Sequence, residues 1–98
     1  MKLGILVNTD RHVKEALGIV HAARERGHEV MVFCMDEGTR LLNEPAFTAL
    51  CALGGVQMSF CGHNAEGRVH ASLPGHVVCG SQYDNASMHH HADKVIVL

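Results

Sequence analysis

Five short apolar runs punctuate the chain: Leu3 to Val7, Val30 to Cys34, Val56 to Cys61, Val77 to Cys79 and Val95 to Leu98. They are continuous more often than alternating, the pattern of strands buried on both faces. Between the first two, Val13, Ala16, Leu17, Val20 and Ala23 recur at helical spacing, with Thr9 or Asp10 as an N-cap and Gly27 as the stop. The second connection begins at Asp36, restarts at Pro45 and carries Phe47, Leu50 and Cys51 on one face before Gly54-Gly55, which predicts one broken helix. His63 to Pro74 shows no apolar stripe and predicts a short helix or an ordered loop. Ser81 to His91 predicts a last helix capped near Asp84.

Strand and helix thus alternate over the whole length, with no repeat and no linker. This predicts one domain over residues 1–98, of α/β class: a three-layer α/β/α arrangement around a five-stranded parallel sheet with right-handed crossovers. Ninety-eight residues bury roughly 60 to 65% of the unfolded surface. Helix coverage of such a sheet is thin on at least one face, and only 18% of residues are charged. A homo-oligomer is expected.

A formal charge of -2, no basic run, one Tyr and three Phe argue against a nucleic-acid partner. The opening apolar stretch is shorter than a signal-peptide core and no later run reaches membrane-spanning length, so a cytoplasmic protein without a membrane partner is expected. In that compartment four Cys point to thiol, persulfide or metal chemistry rather than a disulfide framework.

Open parallel sheets bind ligands beyond the carboxyl ends of their strands. The first strand runs into Asn8 and the second ends at Cys34. The third ends at Cys61, followed by Gly62-His63-Asn64, and the fourth at Cys79, followed by Gly80-Ser81-Gln82. Cys51, at helical spacing from Phe47, reads as a small core residue. Cys61 is the best nucleophile, because Gly62 frees the backbone to turn its amides toward the sulfur and His63, if protonated, favours the thiolate. Cys34 and Cys79 continue apolar runs, and they matter only if their strands flank the third closely enough for thiol exchange or a shared metal.

His89, His90 and His91 lie inside the chain, before a strand that the sheet needs. Consecutive residues on a helix diverge, so they cannot all ligate one metal, although one or two could face the cysteine edge. Cys61-Gly62-His63 offers a weak metal pair, and no Cys-x-x-Cys exists. The turn Asn8-Thr9-Asp10-Arg11-His12 has no Gly, so it is not a phosphate, dinucleotide or flavin loop, and no cofactor is expected. Gly-x-Ser-x-Gly is absent, and Asp36, Glu37, Glu44, Glu66, Asp84 and Asp93 read as caps or surface groups.

The opening Lys2-Leu3-Gly4-Ile5-Leu6-Val7-Asn8-Thr9-Asp10, the turn Phe33-Cys34-Met35-Asp36-Glu37-Gly38, and Leu53-Gly54-Gly55-Val56 leading to Ser59-Phe60-Cys61 resemble the DsrE-like family of small sulfur-relay proteins, which have the YchN-like fold. Val78-Cys79-Gly80-Ser81-Gln82-Tyr83 and Ala92-Asp93-Lys94-Val95-Ile96-Val97-Leu98 extend the resemblance over nearly the whole chain. It implies five parallel strands with the second, third and fourth adjacent, and assembly as a dimer, trimer or hexamer. It also implies a persulfide carried after the third strand, here on Cys61, and protein donors and acceptors of sulfur. The expected activity is that of a sulfurtransferase or persulfide carrier, with His63, Cys79, Cys34 and Asn8 in support. The alternative is a metal- or small-ligand-binding module using Cys61 and His63.

Overall fold

The computed structural model describes residues 1–98. Five strands, β1 (Lys2–Val7), β2 (Glu29–Cys34), β3 (Val56–Cys61), β4 (Val77–Gly80) and β5 (Lys94–Val97), form one sheet in the order β4-β3-β2-β1-β5. Every pairing is parallel. The helices are α1 (Val13–Glu25), α2 (Pro45–Thr48), α3 (Gly62–Ala65) and α4 (Gln82–His91).

From β1 to β4 the chain steps in one direction across the sheet, then returns past β1 to add β5. Right-handed crossovers therefore place the first three connections on one face and only the last, α4, on the other. The core follows this division. On the first face Ile5, Val7, Val30, Val32, Met58 and Phe60 pack against Ala16 and Val20 of α1 and against Leu42, Phe47 and Leu50. On the second, a smaller cluster joins Phe33, Cys61 and Met88 of α4. Gly4 lets α4 close on β1, where a Cβ would stand 3.2 Å from both Met88 Cγ and Ala92 Cβ.

Local chemistry explains where the elements stop. Gly27, at φ 78°, closes α1 in a Schellman turn: its N–H donates to Arg24 O at 3.0 Å, and that of His28 to Ala23 O at 3.0 Å. At the other end the N-cap is His12, which makes no side-chain cap bond, instead of Thr9 or Asp10. The expected broken helix is a 3-10 helix over Asp36–Asn43, then α2, then a 3-10 turn over Ala49–Ala52. Pro45 lacks the N–H that a continuous helix would need, and the segment is held by burial of Leu41, Leu42, Phe47 and Leu50 more than by its ladder. A capping box starts α4: Tyr83 N–H donates to Ser81 Oγ at 3.2 Å, and Ser81 N–H to Asp84 Oδ2 at 2.9 Å. No helix is long and apolar enough to cross a membrane.

Candidate functional site

At the carboxyl edge of the sheet the loops are knotted together by hydrogen bonds. Asn8 and Thr9 donate their N–H groups to Leu98 O at 2.9 and 3.3 Å, so the crevice between β1 and β5, where the strand order reverses, is bridged by backbone. Asn8 is half-buried there, three strands away from β4. Met35 N–H donates to Val7 O at 2.9 Å, after which Asp36 turns with φ 48°. That left-handed conformation is uncommon outside Gly, Asn and Asp. It is held by Asp36 N–H donating to Asn64 Oδ1 at 3.0 Å and by the Thr39 hydroxyl donating to Asp36 O at 2.8 Å. Gly38 then passes so close to β1 that a Cβ would lie 2.0 Å from Val7 O.

A second tie joins the loops after β2 and β3. Arg68 donates to Asn64 O at 2.8 Å and to Glu37 Oε1 at 3.1 Å, and Arg40 also binds Glu37. Hydrogen bonds from these two guanidinium groups hold the Glu37 carboxyl below its ordinary pKa. Asn64 is thus a positioning residue that sequence reasoning did not single out. Its partner is 28 residues away, and no local pattern marks such a bond.

Cys61 is the last residue of β3 and the N-cap of α3, and it is only 5% exposed. Its sulfur belongs to the apolar cluster under α4, with Phe33 and Met88 and with Leu6 and Met35 packed against them. Gly80 is its register partner on β4 and leads directly into the Ser81 cap of α4. Above the cluster, the Gln82 and Asn85 amides approach Met35 Sδ at 4.0 Å each, while Asn85 Oδ1 is buried without a partner.

The other thiols are not beside it. β2, β3 and β4 are neighbours, as expected, but Cys34 and Cys79 are both in register with Phe60, so side-chain alternation sends them to the face opposite Cys61. The condition set for Cys34 and Cys79 is met by strand order but not by face: the three thiols share the carboxyl edge, and only Cys61 lies on the face of α4. Cys34 is wholly buried in the large core, which pushes its thiol well above the ordinary range. Cys79 is exposed, and its sulfur lies over Gly62, where a Cβ would approach it to 2.7 Å. A Cys61 disulfide with either would need the backbone to move, because the Cβ vectors diverge. Cys51 is buried, its thiol donating to Thr48 O at 2.9 Å, as a core residue should.

His63 is exposed on α3. No group of three His, Cys, Asp or Glu side chains is placed to hold a metal ion, so a site at Cys61 and His63 lacks a third ligand. The placement of the three consecutive His is corrected. α4 runs antiparallel to the strands, Ala92 packs against Gly4 and Asp93 N–H donates to Lys2 O at 2.8 Å, so His89, His90 and His91 stand at the amino edge, far from Cys61. His89 and His91 turn their Nδ1–H groups back to Asn85 O and Ser87 O at 2.9 and 2.8 Å.

The model of the DsrE/DsrF-like family matches residues 1–98. The chain belongs to the DsrE/DsrF-like family. Its backbone matches the crystal structure of the YchN protein from E. coli with a TM-score of 0.79, over 100% of both chains at 17% sequence identity, which establishes the shared fold. No protein of curated function matches it in sequence. Within this DsrE/DsrF-like domain, Cys61 is the one thiol at the carboxyl edge that lies on the face covered by α4, in the small apolar cluster with Phe33 and Met88.

Proposed function

We propose that the protein carries sulfane sulfur as a persulfide on Cys61 and passes it to the thiol of a partner protein. Membership of a family associated with sulfur relay supplies the reaction class. The observation that carries the assignment to Cys61 is its place at the β3–α3 junction inside a wall of Phe33, Met35 and Met88. Such a wall restricts access of water and adventitious thiols to a bound sulfur, and the two thioether chains are flexible enough to move aside for a partner.

The chemistry conserves oxidation state overall. The Cys61 thiolate attacks the outer sulfur of a donor persulfide, the new S–S bond forms, and the donor leaves as its thiolate. In the second half the acceptor thiolate attacks the outer sulfur on Cys61 and releases the Cys61 thiolate. Cys34 has no part in this scheme, and Cys79 is a peripheral thiol rather than a resolving one. Cytoplasmic location and protein donors and acceptors belong to the same proposal.

Intact mass spectrometry after incubation with a sulfane-sulfur donor tests it. Wild type and Cys79→Ser should gain the mass of one sulfur atom, reversed by reductant, and Cys61→Ser should not. Sulfur gain that persists in Cys61→Ser and disappears in Cys79→Ser would move the carrier to the exposed thiol.

A further inference from the structure

On the face that α4 covers alone, a groove of about 470 Å³ opens beside the helix at the amino edge, lined by Lys2, Glu29, Met31, Gln57, Ser87 and His91. A recess of about 110 Å³ continues it along β3 and shares Met31, Gln57 and Ser87 with it, reaching Ser59, Asp84 and Met88. Gln57, Ser59 and Cys61 alternate along β3 onto this same face. Met88 lines the recess and also belongs to the cluster around Cys61. From Ser59 to Cys61 is one two-residue step, about 6.6 Å of strand.

The lining has the chemistry of a zwitterion. Lys2 and Glu29 take part in none of the chain's ion pairs. The bond from His91 Nδ1 to Ser87 O leaves Nε2 as the nitrogen that can meet a ligand, accepting in the neutral ring and donating in the imidazolium. Gln57 and Ser59 offer an amide and a hydroxyl between these charged ends, over a floor that includes Met31. The volume lies in the range of small-molecule sites, and the polarity excludes an apolar ligand.

We infer that this groove binds a low-molecular-weight peptidic thiol in its persulfide form, with its carboxylates toward Lys2 and His91, its ammonium toward Glu29, and its sulfur end in the recess under Met88. The inference rests on the carrier role proposed for Cys61. Rotation of Met88 opens the path, and the Cys61 thiolate attacks the outer sulfur. The Cys61 S–S bond forms, the S–S bond of the ligand breaks, and the ligand leaves as its thiolate.

S-methylglutathione, which cannot donate sulfur, is the probe, titrated into the isotope-labelled protein and followed by amide shifts. Shifts at Met31, Gln57, Ser59, Ser87 and His91 are expected, equally in wild type and Cys61→Ser. Binding should weaken about fivefold or more in Lys2→Glu, whose exposed side chain leaves the fold intact, and in Ser87→Phe, which fills the groove. Absence of shifts, shifts confined to Asn8, Met35 and Asn64, or wild-type affinity in both variants overturns the inference. So do shifts of the same groove residues on dilution of the protein alone, which would mean that a second copy occupies it. Sulfur loading from inorganic polysulfide without probe binding defeats only the groove; probe binding without any loading defeats only the carrier role of Cys61.

Discussion

At the residue scale, three of the four thiols differ by burial alone in what they can do. Cys79 is exposed, Cys61 is 5% exposed beside a flexible wall, and Cys34 is fully enclosed with a raised pKa. A thiol reagent added to the native protein should therefore label Cys79 first, Cys61 more slowly, and Cys34 only on unfolding; peptide mass spectrometry over time reads the order, and early labelling of Cys34 contradicts it. The glycines of the site make a matching contrast. Gly38→Ala drives a carbon into the Val7 carbonyl and should cost roughly 2 kcal/mol or more. Gly62→Ala crowds only the movable Cys79 sulfur, with Gly80 O at an ordinary contact distance of 3.5 Å, so its cost of about 1 kcal/mol should largely vanish in Cys79→Ala. Urea unfolding of the four proteins measures that coupling. Glu37 adds an acid-side dependence: its carboxyl pKa is lowered by Arg40 and Arg68, so its contribution is present at neutral pH and is lost as pH falls through the lowered native value. Because the group is exposed the effect is small and screened by salt, and in Glu37→Gln that part of the acid slope should disappear.

At the scale of elements, α4 decides most about the site, since it alone roofs the face that holds Cys61. The helix has little amphipathic pattern of its own, with Met88 as its one buried residue, and it depends on its cap and on Gly4 beneath it. Ser81→Ala should destabilise the protein by about 1 kcal/mol and speed the labelling of Cys61. Labelling at an unchanged rate would show that α4 does not control access. The direction of α4 matters as much as its presence. His89→Ala, His90→Ala and His91→Ala combined should leave sulfur gain from inorganic polysulfide at the wild-type level, because these residues stand at the opposite edge; loss of that gain would contradict the placement. The stop at Gly27 and the five apolar runs were legible, because each acts over a few residues; the cap of α4, expected near Asp84, is Ser81 with Asp84 closing the box, and that of α1 is His12. The 3-10 character of Asp36–Asn43 was not legible, since packing of Leu41 and Leu42 sets it.

For the whole molecule, the order of strands makes the two faces unequal. Three connections cover one and a ten-residue helix the other, leaving Val78 55% exposed and Val97 58% exposed on the thin side. The two stand on opposite edge strands, β4 and β5, where an exposed apolar side chain beside an open strand edge can be covered by a second copy, so we expect a homo-oligomer in solution. Sedimentation should give a mass that is a multiple of 10.6 kDa, and Val78→Glu should lower it without unfolding the chain. A monomer across all accessible concentrations would count against this reading.

By itself the sequence determined the number of strands, their alternation with helices, the parallel α/β class and the position of Cys61 at a strand end. Those are consequences of periodicity, caps and stops, which act locally, and the family resemblance carried by the same segments agreed with them. Which face each thiol occupies is different in kind. Cys34 and Cys61 end their strands and Cys79 stands one residue before the end of β4, yet register and alternation put Cys61 under α4 and the other two behind the sheet. Only the assembled sheet fixes register, because pairing is set by burial of the whole face rather than by any one strand. The bond from Asp36 to Asn64, the distance of the three His from Cys61 and the groove that leads toward it were decided there too, each joining residues far apart in the chain.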